Sequence, residues 1–157
     1  MDGDARILIV DDDDNIRKVL VAILEDKGYS LDSVGTAREA IERTEKKVYN
    51  LALIDIRLPD MEGIELLTRV RDTTPKMRKI IITGYPTLQN AVDAVNRGAD
   101  AYIMKPFDVE VVLNTIDEQL RKQEQEKKYS QDKVTEFIET RVKELGSEKE
   151  VVHREKQ

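Results

Sequence analysis

The stretch Arg6–Asp14, RILIVDDDD, sets a short apolar run directly before four carboxylates. The run is continuous and β-branched, which is typical of a strand that is buried on both faces of a parallel sheet. Asp14–Lys27 follows with apolar residues at helical spacing, and Gly28 suits the C-terminal cap of a helix. A buried strand that passes directly into a helix is the unit from which doubly wound α/β domains are built.

The alternation of strand and helix continues along the chain. Further strands are predicted at Tyr29–Val34, Leu51–Asp55, Lys79–Thr83 and Ala101–Lys105. Further helices are predicted at Thr36–Lys46 with Thr36 as cap, at Ile64–Asp72, at Thr87–Arg97 and from near Asp108. Five strands alternating with five helices predict an α/β fold, with one parallel sheet covered by helices on both faces.

Polar residues gather at the carboxyl ends of these strands, where open α/β sheets bind their ligands. They are Asp11 and Asp12, Asp55, Thr83 and Lys105. If the first and third strands are neighbours, their carboxylates converge. Two such charges 4 Å apart repel by about 4 kcal/mol at an effective dielectric near 20, and a hard divalent ion such as Mg²⁺ relieves the repulsion.

A carboxylate, a hydroxyl group and an ammonium group beside Mg²⁺ suit phosphoryl transfer. An aspartate can act as a nucleophile and form an acyl phosphate. A metal ion, a lysine and a small hydroxyl donor then neutralise or bind the phosphoryl oxygens. Gly84, next to Thr83, leaves room for the group that is transferred.

Four motifs, VDDDDNIR, LIDIRLPDMEG, IIITGYPT and GADAYIMKPF, occur in this order between about Arg6 and about Gln123. With them the sequence resembles the receiver (CheY-like) domain of two-component response regulators. The resemblance implies a flavodoxin-like sheet of order 2-1-3-4-5. We assign residues 1–123 to this domain and residues 124–157 to a C-terminal helical extension and polar tail without a DNA-binding domain.

The resemblance also implies a metal site. Asp12 is expected to bind Mg²⁺ directly, and Asp11 is expected to act largely through water. Asp55 and the backbone carbonyl of Arg57 complete the expected set of ligands.

The phosphoryl group itself is expected on Asp55, the phosphoacceptor, with Thr83 and Lys105 in contact with it. Tyr102 is similar to the aromatic switch residue of the family, although a tyrosine in a last strand can equally serve packing. The peptide bond between Lys105 and Pro106 is expected to be cis, which a bond before proline allows at low cost.

Asp14 stands where many relatives have proline, and we expect it to cap the first helix. The same acids keep an enzyme alternative open. Phosphatases of the haloacid-dehalogenase type carry Asp-x-Asp after a first strand, and Asp12 and Asp14 match that spacing, with Asp12 as the nucleophile. Against it, a helix that begins at Asn15 leaves no room for the extra turn and hairpin of those enzymes.

The residues after Leu120 are polar except for Tyr129, and an amphipathic stripe then runs from Val134 to Leu145. We expect this helix to end at Gly146, with a disordered tail in which His153 is inert. Three interpretations stay open: a dimerisation or docking helix, a helix that folds back on its own domain, and a linker to an output domain.

The charge distribution gives no sign of a nucleic-acid or membrane surface. Residues 1–120 carry 16 basic and 23 acidic residues, and residues 121–157 carry 10 and 9. Cysteine is absent, which excludes thiolate chemistry. No segment is typical of a signal peptide or a membrane span, so a cytoplasmic location is expected.

The predicted function is a phosphorylation switch that accepts its phosphoryl group from a sensor histidine kinase. The chain is expected to catalyse only its own phosphorylation and dephosphorylation. A downstream protein of unknown identity, or a second copy, would bind the surface of the fourth helix, fifth strand and fifth helix. The C-terminal helix is the other candidate for a homodimer contact, and a fragment of a larger DNA-binding regulator is a further alternative.

Overall fold

The computed structural model describes the backbone of residues 5–155 and the side chains of residues 5–146. The strands are β1 (Arg6–Val10), β2 (Ser30–Val34), β3 (Leu51–Asp55), β4 (Arg78–Thr83) and β5 (Ala101–Met104). The helices are α1 (Asp14–Asp26), α2 (Ala37–Lys46), α3 (Gly63–Leu66), α4 (Leu88–Asn96) and α5 (Val109–Glu155). Strands and helices alternate as predicted.

All strand pairs are parallel, and the order in the sheet is β2-β1-β3-β4-β5. This confirms the expected flavodoxin-like order. Because β1 pairs with both β2 and β3, the sheet reverses its winding direction at β1. The carboxyl ends of β1 and β3 therefore lie side by side.

Alternate residues of the buried strands face two separate core layers. Leu8 of β1 and Ile54 of β3 belong to the layer under α2, α3 and α4. Ile9 of β1 and Leu53 of β3 belong to the layer under α1 and the first part of α5. This arrangement explains why residues 7–10 of β1 and 51–54 of β3 are apolar at consecutive positions and do not alternate with polar residues.

The third helix is shorter than the sequence predicts. It was expected to run to Asp72, but the regular helix ends at Leu66. The amide groups of Thr68 and Arg69 bond three residues back, which tightens the chain into a turn. The buried Lys79 then donates to the carbonyl of Leu67 at 2.8 Å and satisfies an acceptor that a longer helix would have used.

The chain divides into two compact units, Met1–Gln123 and Glu124–Gln157. In the first unit, the buried Gln123 side chain donates to the carbonyls of Asn50 and Lys76, each at 2.9 Å. These bonds attach the last turn of that unit to the amino-terminal edge of the sheet.

In the second unit, α5 continues through Gly146 to Glu155, so the expectation that it ends at Gly146 is wrong. A glycine inside a helix costs only about 1 kcal/mol relative to alanine, and the neighbouring Glu and Lys residues favour helix. The side chains after Gly146, including His153, lie outside the described residues. No helix in the described part of the chain combines the length and apolar character that crossing a membrane requires.

Candidate functional site

The turn between β1 and α1 carries the first pair of acids. Asp11 is buried, and its carboxylate accepts a hydrogen bond from the amide of Asp13 at 2.9 Å. Asp13 has the extended backbone of a helix cap and accepts from the amides of Asn15 and Ile16 at 2.9 and 3.2 Å. The expectation that Asp14 caps α1 is therefore wrong, because Asp14 is already helical and the cap lies one residue earlier.

Arg17 supports this turn, although the motifs in the sequence do not single it out. Its guanidinium group donates to the backbone carbonyl of Asp11 and to the carboxylate of Asp14. A Cβ atom on Gly35 would lie 3.1 Å from Nη1 of Arg17, so the glycine leaves room for the guanidinium group. The spacing of three residues between Asp14 and Arg17, which places both on one face of α1, was the available signal.

Three carboxylates meet where β1 and β3 end. Asp11, Asp12 and Asp55 each offer one oxygen atom, and these atoms all lie within 4.8 Å of one another. Asp11 and Asp55 are buried, and Asp12 is exposed. Carboxylate oxygens that are open to solvent on one side fit Mg²⁺, which binds a few protein oxygens and keeps several waters.

Lys105 reaches the same cluster from beyond the end of β5. Its Nζ atom lies 2.7 Å from Oδ2 of Asp11 and 3.4 Å from Oδ2 of Asp55. Burial lowers the pKa of Lys105, but hydrogen bonds to the two carboxylates and their charges outweigh burial, so the pKa is raised. Burial and the charge of Asp11 raise the pKa of Asp55, and Lys105 opposes this only in part. One ammonium group therefore does not balance the three acids.

Thr83 is fully buried and is the last residue of β4. Its hydroxyl oxygen accepts from the amide of Tyr85 at 3.0 Å, and its carbonyl accepts from the amide of Lys105 at 2.7 Å. The bond between Lys105 and Pro106 is cis, as expected. The ends of β4 and β5 are thus joined through Thr83 and Lys105.

Tyr102 belongs to β5 and precedes Lys105 by three residues. It pairs with Ile81 on β4 and packs against the core layer under α2, α3 and α4. Its buried hydroxyl group makes no hydrogen bond of normal geometry, although the backbone of Thr87 lies nearby. Burial raises the pKa of Tyr102, and the Thr87 backbone opposes that shift. Tyr102 therefore contributes to core packing, and its function as a switch residue stays a prediction.

The loop Arg57–Gly63 closes tightly against the end of β3. The amide of Gly63 donates to the carbonyl of Ile56 at 2.6 Å, and the backbones of Arg57 and Glu62 form an isolated antiparallel β-bridge. A Cβ atom on Gly63 would lie 2.0 Å from the carbonyl oxygen of Asp55, a distance that no side chain allows. Glycine at this position lets the loop turn back directly over Asp55, the candidate phosphoacceptor.

The side chain of Arg57 crosses to the loop after β4. Its guanidinium carbon lies 3.6 Å from the centre of the Tyr85 ring, a cation–π contact at an exposed position. Its amide also donates to Oδ1 of Asp55 at 3.3 Å. Sequence reasoning assigns only the carbonyl of Arg57, because nothing in the local pattern indicates that Tyr85 lies opposite.

Residues 7–117 match the family model described as the response regulator receiver domain. The chain belongs to this family. A receiver domain protein (CheY-like) from Methanospirillum hungatei JF-1 is 49% identical and superimposes with a TM-score of 0.75, covering 78% of this chain and 98% of that one. The match places the chain among receivers rather than among enzymes.

Three further similarities place the receiver in context. The activated NtrC4 receiver domain dimer, solved with beryllofluoride, is 34% identical with a TM-score of 0.71, over 75% of this chain and 98% of that one. The transcriptional regulatory protein ZraR of Klebsiella oxytoca is 36% identical over 114 residues, 73% of this chain and 26% of the relative. BasR of Escherichia coli (strain K12) is 37% identical over 67% of this chain and 47% of the relative. The chain thus spans about a quarter to a half of these curated relatives.

Proposed function

We propose that Asp55 accepts a phosphoryl group from a phosphohistidine of a sensor kinase. The observation that carries the proposal is the meeting of Asp11, Asp12 and Asp55 with the Lys105 ammonium group at one edge of the sheet. An oxygen of the Asp55 carboxylate attacks the phosphorus atom, and the phosphorus–nitrogen bond to the imidazole breaks. The imidazole leaves with the electron pair and takes up a proton from solvent, and Asp55 becomes an acyl phosphate.

Each neighbouring group has a defined part in this transfer. Asp12, Asp55 and the Arg57 carbonyl would hold Mg²⁺, with Asp11 acting through water. When bound, the ion supplies positive charge next to the phosphoryl oxygens. Lys105, which now contacts Asp11 and Asp55, would donate to a phosphoryl oxygen, and the Thr83 hydroxyl would donate to another. The same groups would let the protein catalyse the slow hydrolysis of its own acyl phosphate.

The phosphatase alternative gains no support from the fold. Only the turn Asp11–Asp13 separates β1 from α1, so there is no additional hairpin beside Asp12.

Incubation with a small phosphodonor and Mg²⁺, followed by intact-protein mass spectrometry, tests the proposal. We expect a phosphoryl adduct on the wild type and none on Asp55→Ala, with Asp100→Ala as a carboxylate control outside the cluster. Sustained turnover of a phosphomonoester that survives Asp55→Ala would instead support a phosphatase. Asp12→Ala alone does not discriminate, because both mechanisms need that residue.

We also propose that the output passes through the surface of α4, β5 and the start of α5. Apolar side chains are exposed there: Leu88, Val92, Val95, Met104, Val109 and Val111. Several exposed apolar side chains on neighbouring elements suit a contact site for another protein. A partner protein, or a second copy of the chain, would bind it after Thr83 and Tyr102 respond to the phosphoryl group.

The C-terminal segment offers a second surface for a homodimer. Tyr129, Val134, Phe137, Ile138, Val142 and Leu145 are exposed along α5. The NtrC4 receiver is described as a dimer, which supports self-association as a working hypothesis. Light scattering with and without a phosphoryl mimic, on the wild type, Leu88→Glu and Phe137→Glu, would show which surface is used.

ZraR and BasR are named transcriptional regulatory proteins, and this chain matches only a part of each. We propose that residues 1–146 signal through protein contacts, because residues 1–120 carry 23 acidic and only 16 basic residues, an excess of negative charge that DNA phosphates repel. A gel-shift assay at low salt, with and without the phosphoryl mimic, tests this directly, and specific binding of DNA would contradict it.

A further inference from the structure

Asp60 lies outside the acidic cluster and has a different set of partners. Its Oδ1 atom accepts from the amide of Ala37 at 2.9 Å, and its Oδ2 atom accepts from the amide of Arg38 at 2.9 Å. These amides belong to the first turn of α2, more than twenty residues earlier in the chain. Burial raises the pKa of Asp60, but the hydrogen bonds from Arg38 and Ala37 outweigh it and lower the pKa overall.

The cap of α2 is therefore shared between two segments of the chain. Thr36 is the local cap, and its hydroxyl oxygen accepts from the amide of Glu39 at 3.1 Å. The amides of Ala37 and Arg38 precede the first residue that can bond within the helix, and such amides need outside acceptors. Asp60 supplies both of them, so the N-terminus of α2 is complete only when the loop is in place.

The loop that carries Asp60 is the loop that borders the phosphorylation site. One end is bonded to the last residue of β3, through the amide of Arg57 on Asp55, and the other to the next residue, through the amide of Gly63 on Ile56. Leu58 and Met61 pack partly against the core. Asp60, between these two apolar contacts, is the charged attachment of the loop to α2.

We propose that Asp60 is a positioning residue for the metal site of this receiver. By bonding the loop to the N-terminus of α2, it fixes the backbone of Arg57, whose carbonyl is assigned to the ion. The inference rests on the proposed function for that assignment. Coupling between the two is reciprocal, so an ion held by the loop must also tighten the first turn of α2.

Asp60 does not act as a ligand itself in this account. Both of its oxygen atoms are used by backbone amides of α2. It is also absent from the group of acids whose oxygens converge at the ends of β1 and β3. Removing it should therefore alter the geometry of the site while leaving the three carboxylates in place.

The chain offers graded and matched variants for a test. Asp60→Ala removes both hydrogen bonds, and Asp60→Asn retains one carbonyl acceptor. Thr36→Ala weakens the cap of the same helix without touching the loop. Binding of Mg²⁺ alone is measured by calorimetry, and the exchange rates of the Ala37 and Arg38 amides are measured with and without Mg²⁺.

We expect Asp60→Ala to weaken Mg²⁺ binding about five-fold to ten-fold, Asp60→Asn to lie between it and the wild type, and Thr36→Ala to bind as the wild type does. Phosphorylation by a small phosphodonor should need more Mg²⁺ in Asp60→Ala but reach the same extent at saturation. Mg²⁺ should slow exchange of the two amides in the wild type and in Thr36→Ala.

Wild-type affinity in both Asp60 variants would overturn the inference, as would an equal loss in Thr36→Ala, which would mean that helix stability alone is responsible. Circular dichroism establishes whether each variant is folded. If Asp60→Ala is not folded, the Mg²⁺ affinity of Asp60→Asn provides the test. A wild type that binds Mg²⁺ but takes up no phosphoryl group would contradict the proposed function and leave the result for Asp60 standing. A wild type that binds no Mg²⁺ would overturn both.

Discussion

Two carboxylates of the same sheet, Asp32 and Asp55, have opposite surroundings. Asp32 on β2 accepts from the hydroxyl group of Tyr49 at 2.5 Å, and Lys47 and Arg43 lie 3.2 and 3.6 Å away. The hydrogen bond from Tyr49 is the largest influence on the pKa of Asp32, and with the two cations it outweighs burial and lowers that pKa. Asp55 has its pKa raised, first by burial and then by Asp11.

The surroundings of Asp32 stabilise its ionised form in the fold, whereas those of Asp55 do not. Asp32 alone has a hydroxyl donor and two cationic partners, whereas the cluster of Asp11, Asp12 and Asp55 has one ammonium group, which contacts Asp11 and Asp55. A protein under selection for stability alone would not keep the second arrangement. A shortage of positive charge in a cluster open to solvent is typical of a site that binds a cation or reacts.

The largest effect should come from disturbing the backbone that holds Asp55. Gly63→Ala places a Cβ atom 2.0 Å from the carbonyl oxygen of Asp55, and the loop must shift. We expect a loss of about 3 kcal/mol in the free energy of unfolding, measured with urea. Gly84→Ala is the control, because its Cβ would lie an ordinary 3.9 Å from Lys105. Equal stability of the two variants would show that the loop is not constrained as described.

Asp32→Ala should destabilise the fold by about 2 kcal/mol, because it leaves the buried hydroxyl group of Tyr49 without an acceptor. Tyr49→Phe removes that hydroxyl group, so the double variant should lose less than the sum of the single variants. Urea unfolding of the four proteins gives the interaction energy. Additive losses would mean that the short contact contributes nothing and that the comparison with Asp55 fails.

In contrast to Asp32→Ala, Asp55→Asn should increase the free energy of unfolding, by about 1 kcal/mol at neutral pH in EDTA. The raised pKa means that ionised Asp55 opposes folding, and a neutral amide removes this cost. Mg²⁺ should stabilise the wild type, so that in its presence the wild type becomes more stable than Asp55→Asn. Thermal unfolding of both proteins, in EDTA and in Mg²⁺, checks this, and a less stable Asp55→Asn in EDTA would refute it.

The smallest effect is in the pH dependence of the free energy of unfolding, to which Asp32 and Asp55 should contribute in opposite directions. The contribution of Asp55 to stability is present below its unfolded pKa of 3.8 and is lost as pH rises through the higher folded value. The contribution of Asp32 is present above 3.8 and is lost as pH falls through a lower folded value. From pH 7 towards pH 4, the wild type should therefore approach Asp55→Asn, while its advantage over Asp32→Ala persists. Parallel curves would contradict the assigned directions.

Much of the site could be predicted because it follows from topology. Asp11, Asp12, Asp55 and Lys105 come at strand ends, and parallel strands bring those ends to one edge whatever the intervening helices do. The identity of the phosphoacceptor came from the resemblance, since a cluster of acids does not itself indicate which one reacts.

The rest depends on contacts between residues distant in the chain. Asp60 reaches Ala37, Tyr49 reaches Asp32, and Arg57 reaches Tyr85 through packing that no local pattern encodes. The predicted C-terminal ends of α3 and α5 were wrong because local sequence alone does not determine where a helix ends. Tertiary hydrogen bonds shorten α3, and a single glycine is too weak a signal to end α5.

We propose that Asp55 is the residue that receives the phosphoryl group, and chemical reduction of the adduct locates it. Treating the phosphorylated protein with borohydride reduces an acyl phosphate to an alcohol, so an aspartate that carried it becomes homoserine, which peptide mass spectrometry locates. We predict homoserine at position 55 alone, and only after incubation with Mg²⁺ and a phosphodonor. Homoserine at position 12, or an unmodified chain under those conditions, would contradict the account.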